Sequence, residues 1–188
     1  MSTYTGWHFL ADPTVLAHDG GPVPPVGESI SIDALPILCE VGFHASKKAQ
    51  DALQYAPGPW LERIRLGGVV LADTDKAVGS RRVTLSAPVN VERVLRLFAC
   101  ECAERVLPIF ERKYPNDNRP RRAIEVARLF ADGKATQEDR DAAWDAARNA
   151  AWAAAWDAAG PAAWGAAGAA ERAWQERRLS AIFREAAG

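Results

Sequence analysis

The chain has 188 residues, and its 48% hydrophobic and 25% charged residues are typical of a folded globular protein, which excludes wholesale disorder. Because 23 Lys and Arg residues are balanced by 24 Asp and Glu residues, the net charge of -1 creates no global field that would attract nucleic acid or an anionic membrane. No apolar run reaches the ~18–20 residues of a membrane helix, so we expect no membrane-spanning segment.

The composition changes near residue 88 and predicts two parts. Residues 1–88 hold all three histidines, most of the prolines and the runs that are typical of strands. Residues 89–188 are rich in Ala, Arg, Glu and Leu and carry helix signals throughout. The sequence therefore predicts an α+β fold, with a small antiparallel β-rich N-terminal module at 1–88 followed by an all-α helical C-terminal region at 89–188.

Alternating patterns predict strands in the first part. The aromatic run Tyr4–Leu10 is typical of a strand, and Ser29–Ile32 alternates polar and apolar residues as a short half-buried strand does. The segment Trp60–Leu66 also alternates. The residues that share one of its faces are Trp60, Glu62, Ile64 and Leu66.

Glycine, proline and serine residues indicate where these elements begin and end. The pair Gly67-Gly68 is expected to break the strand before Val69–Leu71, and Arg81–Leu85 can pair with that run. Ser46 is expected to cap a short helix, which stops at Pro57-Gly58-Pro59.

Helix signals dominate the second part. Asn90 can cap a helix that runs through Tyr114, and Pro108 inside it is expected to kink or split it. Asn118 is expected to cap the next helix. Thr136, followed by Asp139, is typical of a capping box with Asp in place of Glu.

The most unusual stretch is an alanine-rich segment with tryptophans at a four-residue period. The positions in this period are Trp144, Arg148, Trp152, Trp156, Gly160, Trp164, Gly168 and Arg172. Four residues advance a helix by about 400°, so the stripe stays on one side for several turns. We therefore predict a partner-binding stripe, which packs on the protein's own helices, on another protein or on a second copy in a homodimer. Its residues are Trp144, Trp152, Trp156 and Trp164.

The histidines and cysteines do not form a metal-binding pattern. The residues considered are His8, His18, Cys39 and His44, and they lack the close ligand pair that zinc sites usually show. Cys100 and Cys102 point about 200° apart on a helix, so we interpret them as buried hydrophobic thiols. We expect no metal and no cofactor. The odd cysteine count and the absence of a secretory signal pattern predict a reduced, cytoplasmic protein.

No nucleophile–base–acid set and no phosphate-binding glycine loop is visible, so the sequence favours a non-enzymatic protein without catalytic residues. Arginines suggest an alternative, since two clusters could form a local phosphate patch of a nucleic-acid-binding protein. Its residues are Arg81, Arg82, Arg119, Arg121 and Arg122. Base stacking would require exposed aromatic residues beside them, and none is adjacent in the sequence.

The segment Gly42–Ser46, followed by Ala52 and Tyr55, resembles the central block of ADP-ribosyltransferases. In that family an early histidine holds the nicotinamide ribose, so the resemblance implies an NAD-using enzyme centred on His8 and His44. The family's late catalytic Glu has no counterpart in the strand Arg81–Leu85.

Two further resemblances cover most of the chain. The segments Trp7–Leu10, Leu38–Ser46, Asp51–Gly58 and Asp75–Val78 resemble an uncharacterised domain common in bacteriophage and actinobacterial proteins, whose members often carry repeats like the one at 142–147. The segments Cys102–Pro108, Phe110–Asp117 and Arg119–Glu125 resemble the helical immunity proteins of polymorphic toxin systems. These resemblances imply an interaction protein or inhibitor that binds a host, defence or toxin component.

Overall fold

The computed structural model describes residues 3–16, 20–145 and 161–188, and it describes the side chains of all of these except 161–168. Contacts divide the chain into two units, the first being Met1–Val91 with Trp174–Gly188 and the second Glu92–Ala173. The predicted α+β class is confirmed, because the sheet is formed in the N-terminal half and the C-terminal half is helical. The change of composition near residue 88 gives no sign that residues 174–188 belong with the first unit.

The strands of the first unit form one antiparallel sheet. They are β1 (Tyr4–Leu10), β2 (Ser29–Ser31), β3 (Phe43–Ala45), β4 (Trp60–Ala72), β5 (Ala77–Thr84) and β6 (Val89–Asn90). Strand β4 lies at the centre, with β1 on one side and β5 on the other. The short β6 lies on the same side as β5, because Trp60 and Leu61 pair with both β1 and β6. Strands β2 and β3 both pair with β5, so the long hairpin β4–β5 organises the whole sheet.

The helical segments are α1 (Ala49–Gln54), α2 (Glu92–Lys113), α3 (Arg119–Ala131), α4 (residues 137–145) and α5 (Pro161–Ala187). Helix α2 runs through Pro108 without interruption, so the prediction of a split there is wrong. Proline removes one backbone hydrogen bond, and here the packing of the long helix on α3 outweighs that loss. The predicted capping box is confirmed, since Asp139 accepts the Thr136 amide at 2.9 Å and Thr136 Oγ1 accepts the Asp139 amide at 3.1 Å.

The sheet curls until the free edge of β1 meets the chain that leaves β3. Trp7 and Ser46 exchange two backbone hydrogen bonds, of 2.8 and 3.0 Å. A Cβ atom on Gly6 would lie 2.7 Å from the Ser46 carbonyl oxygen, so this close approach requires glycine. Ser46 therefore extends the sheet, and the prediction that it caps α1 is wrong, because the N-cap residue is Lys48.

The glycine pair in β4 bends the strand instead of ending it. The register with β5 shifts between Gly67 and Val70, and Gly68 has φ 71°, which is typical of a β-bulge. The predicted break is wrong, because a bulge can accommodate the extra residue within one continuous strand. Residues 81–84 consequently pair with 64–67 and not with 69–71.

Both faces of the sheet are covered. The inner face carries the cluster Leu10, Leu16, Phe43, Ala45, Ile64, Leu66 and Ala77. On the outer face, Phe183 of α5 lies edge-on against Trp7 and Phe9, with ring centroids 5.4 and 5.6 Å apart. The C-terminal part of α5 therefore completes the core of the first unit.

Candidate functional site

The tryptophan stripe is described at one of its four positions. Trp144 on α4 is 66% exposed, so its indole is available to a partner. Trp152 and Trp156 lie outside the described residues, and Trp164 lies in the part of α5 whose side chains are not described. The stripe as a binding surface therefore stays a prediction, with Trp144 as its described member.

Helices α2 and α3 of the second unit pack through a small apolar seam. Cys100, Leu107 and Ile124 form its buried centre, with Ala103 and Ala127 beside them. Burial raises the pKa of the Cys100 thiol, and it also raises the pKa of Cys102, which is partly buried. Both thiols therefore act as apolar side chains, in agreement with the interpretation from the sequence.

Ion pairs flank this seam and hold α2 to α3. Arg128 donates two hydrogen bonds to Glu104, of 3.0 and 2.6 Å, and Arg121 donates two of 2.8 Å to Glu111. Such bidentate pairs fix geometry more than they add stability, because both partners are partly exposed to solvent. The arginines of this surface are thus largely committed to neighbouring carboxylates.

The five arginines of the predicted phosphate patch differ in exposure and in their hydrogen-bond partners. Arg82 is only 1% exposed, so its guanidinium does not face solvent, whereas Arg81 is exposed. Arg119 donates to Asp117 at 2.8 and 2.6 Å, which lowers the pKa of that carboxyl. Arg121 is held by Glu111, and Arg122 is exposed. Three of the five arginines grouped in the sequence analysis are therefore either buried or paired with a carboxylate.

Helix α2 also exposes apolar side chains. Ile109 is 70% exposed and Val106 is 49% exposed, and the two lie three residues apart on one side of the helix. Glu171 of α5 accepts a hydrogen bond of 3.0 Å from Arg105, the residue before Val106. The described part of the second unit therefore presents apolar side chains on α2 and an exposed indole on α4.

A different kind of site lies inside the first unit. Glu62 on β4 is fully buried and accepts a hydrogen bond of 2.7 Å from Arg82 on β5. Its other oxygen lies 2.8 Å from Nδ1 of His8, the residue directly opposite on β1. Arg82 also donates to Thr84 Oγ1 at 3.2 Å. Three adjacent strands thus bring an acid, a base and a cation together on the inner face of the sheet.

The surroundings of Glu62 favour its charged form. Burial alone would raise the pKa of this carboxyl, but the hydrogen bonds from His8 and Arg82 and the charge of Arg82 lower the pKa below its ordinary value of 4.5. Arg82 Nε is a buried donor without an acceptor among the described residues. The network is therefore charged and tightly held.

The residues assigned by resemblance to an ADP-ribosyltransferase make separate contacts. His8 is bound to Glu62, while Nε2 of His44 on β3 accepts the backbone N–H of Cys39 at 3.0 Å. His18 lies outside the described residues. Across residues 3–16, 20–145 and 161–188, no three His, Cys, Asp or Glu side chains are grouped as metal ligands.

Sequence reasoning placed Glu62 on an apolar face but did not recognise its partners. A carboxylate among Trp60, Ile64 and Leu66 was the available signal, since a buried charge requires a counter-charge. Identifying Arg82 as the counter-charge also required the register between β4 and β5, in which Arg82 lies opposite Leu66. The bulge sets that register.

Comparison with known proteins adds one match. Residues 90–171, somewhat less than half of the chain, match the family model described as "Imm-5 like putative immunity protein". No curated protein matches the chain, and no solved structure matches it either. None of the described helices combines the length and hydrophobicity that crossing a bilayer requires.

Proposed function

We propose that this chain is a non-enzymatic, immunity-type inhibitor that binds another protein through its second unit and blocks its action. The match of residues 90–171 to an immunity-protein family model carries the proposal. Immunity of this type requires a surface that recognises one partner and needs no bond-breaking residues of its own.

The described side chains of the second unit support a binding surface. Trp144 lies within the matched segment and exposes two thirds of its side chain. Tryptophan is enriched among the residues that dominate binding energies at protein interfaces. Ile109 and Val106 add exposed apolar area on α2. The ion pairs beside them would form a polar rim, which sets orientation more than affinity.

The partner that we propose is a protein toxin, and the inhibitor acts on it in the cytoplasm. A host or defence component bound by a phage-encoded inhibitor is the alternative target, which the resemblance of the first part suggests. A second copy of the chain is the remaining alternative for the tryptophan stripe, because a homodimer could bury the same indoles.

The test uses the full chain and the proteins encoded beside it in its genome. Each neighbouring protein is expressed alone in a host cell, and growth is measured with and without co-expression of the chain. We expect one neighbour to arrest growth and the chain to restore it. Titration calorimetry on the purified pair should then give a one-to-one complex, while light scattering on the chain alone reports self-association.

Matched variants connect the binding to the proposed surface. Trp144→Ala should weaken binding by about 30-fold, the loss expected of an interface hot spot. Leu35→Ala removes a side chain that is 75% exposed in the first unit, and it should leave the affinity unchanged. The proposal is overturned if no neighbouring protein binds the chain. Equal affinities of both variants would exclude Trp144 from the interface.

A further inference from the structure

The buried network of the first unit fixes which nitrogen of His8 carries its proton. Glu62 is ionised at neutral pH, because its pKa is lowered, and an ionised carboxylate can only accept hydrogen bonds. Nδ1 of His8, which lies 2.8 Å from Glu62 Oε1, must therefore be the donor. In the neutral imidazole the lone pair then resides on Nε2.

This lone pair has no hydrogen-bond partner among the described residues, and the His8 side chain is 22% exposed. His44 provides the contrast within the same unit, because its Nε2 already accepts the Cys39 amide at 3.0 Å. A carboxylate that holds Nδ1 while Nε2 remains open is the arrangement that prepares an imidazole to act as a base or nucleophile.

We propose that His8 is a nucleophilic site of the first unit, with Nε2 as the reacting atom and an acyl carbon as the class of electrophile. Nε2 attacks the carbonyl carbon with its lone pair, an N–C bond forms, and the leaving group departs with the electrons of its bond to that carbon. Glu62 is a positioning residue that holds the Nδ1 proton and stabilises the cationic imidazole. This proposal concerns the first unit alone, whereas the non-enzymatic inhibition proposed above concerns the second unit, so each can fail without the other.

The energetics of the network support a role beyond stability. A buried Glu–Arg pair generally contributes no more to stability than apolar side chains of similar volume, because both charges are removed from water. Arg82 Nε also lacks an acceptor in the part of the chain that the structure describes. A charged cluster that does not optimise stability, and that reaches solvent through a histidine, is typical of a functional site.

The first measurement is the tautomer of His8. Nitrogen-15 NMR of the full chain at mildly alkaline pH distinguishes the protonated nitrogen from the unprotonated one. We expect Nδ1 of His8 to carry the hydrogen and Nε2 to be unprotonated. A protonated Nε2 would overturn the proposal, because the reacting lone pair would then be absent.

The second measurement is the rate at which diethyl pyrocarbonate acylates each histidine. The reagent's carbonyl carbon bonds to Nε2 and ethyl carbonate is released, and peptide mass mapping separates the sites. His8 should react at least about tenfold faster than His44, whose Nε2 is engaged. Equal rates at the two histidines would contradict the proposal.

The variant Glu62→Gln tests the positioning role. Arg82 can donate only to the amide oxygen, so the amide NH₂ group would face His8 and convert its Nδ1 into an acceptor. The proton would then move to Nε2, and acylation of His8 should fall at least about tenfold while His44 stays unchanged. An unaltered His8 rate in a folded variant refutes the positioning role. If the variant does not fold, the wild-type tautomer and rates still decide the proposal.

Discussion

Phe183 lies edge-on against Trp7, with ring centroids 5.4 Å apart and ring planes at 77°. Both side chains are almost fully buried, so a residue of the last helix belongs to the core of the N-terminal sheet. Phe183→Ala should lower the free energy of unfolding of the first unit by about 3–5 kcal/mol, because the truncation removes buried apolar area and leaves a cavity. Urea unfolding followed by circular dichroism measures the loss.

Phe110→Ala provides the matched control. Phe110 is only partly buried and contacts Tyr114, with ring centroids 5.0 Å apart. This variant should lose less than half as much stability as Phe183→Ala. Equal losses would show that Phe183 is not a core residue.

Glu176 of α5 supplies the cap that the sequence of α1 lacks. Its carboxylate accepts the amides of Ala49 and Gln50 at 3.0 and 2.9 Å, and Ser180 donates to it at 2.8 Å. Glu176→Ala should lower the free energy of unfolding by about 1 kcal/mol, the usual effect of losing a helix cap. Glu185→Ala changes an exposed residue on the same helix and should alter the urea midpoint little. A similar shift in both variants would contradict the capping role.

The Glu62–Arg82 pair predicts a non-additive response. Glu62→Leu should lower the free energy of unfolding by about 3–5 kcal/mol, because it leaves the Arg82 charge buried without its partner. Adding Arg82→Met should recover most of that loss, since no charge then remains buried. A double-mutant cycle on thermal or urea unfolding measures the coupling. Additive effects of the two substitutions would show that the charges do not interact.

Acid should weaken the first unit through the same carboxyl. The pKa of Glu62 is lower in the folded protein than its ordinary value of 4.5, so the folded state binds the proton less readily than the unfolded state. Its contribution to stability is complete above the unfolded pKa and is lost as the pH falls through the folded pKa. Urea midpoints from neutral pH down to about pH 3 should therefore fall more steeply in wild type than in Glu62→Gln. Parallel curves would contradict this contribution.

The three thiols should differ in reactivity. Cys39 is exposed, whereas burial raises the pKa of both Cys100 and Cys102 and so lowers their thiolate fraction. Iodoacetamide at mildly alkaline pH should label Cys39 first, as shown by peptide mass mapping. Cys39→Ser should remove the fast phase and leave the slow labelling unchanged. Fast labelling of Cys100 in the folded protein would show that the seam between α2 and α3 opens readily.

Local patterns predicted the elements whose signals lie within a few residues. The alternation in Trp60–Leu66 identified the start of β4, and the capping box at Thr136 and Asp139 formed as expected. Asn118 also occupies the N-cap position of α3, but its side chain makes no capping hydrogen bond there. These features depend on neighbouring residues alone, so the sequence contains all the information that they require.

Contacts between distant residues were not predictable in this way. Ser46 has the residue type of a helix cap, but its backbone pairs with Trp7, and the cap comes from Glu176 far along the chain. The sequence showed that Glu62 lies on the apolar face of β4, but it did not show that Arg82 pairs with it. That pairing depends on the bulge, which sets the register between β4 and β5. Helix and strand propensities do not show which distant segments contact each other, because those contacts depend on the packing of the whole unit.

The return of the chain to its starting sheet has a consequence for biosynthesis. A ribosome makes the strands before it makes Phe183, so the hydrophobic side of β1 stays uncovered while about a hundred intervening residues are translated. Chaperones that shield nascent apolar segments would act during this interval. Premature termination before α5 would release a chain in which no helix packs on the outer face of the sheet. Cellular proteases would readily degrade such a product.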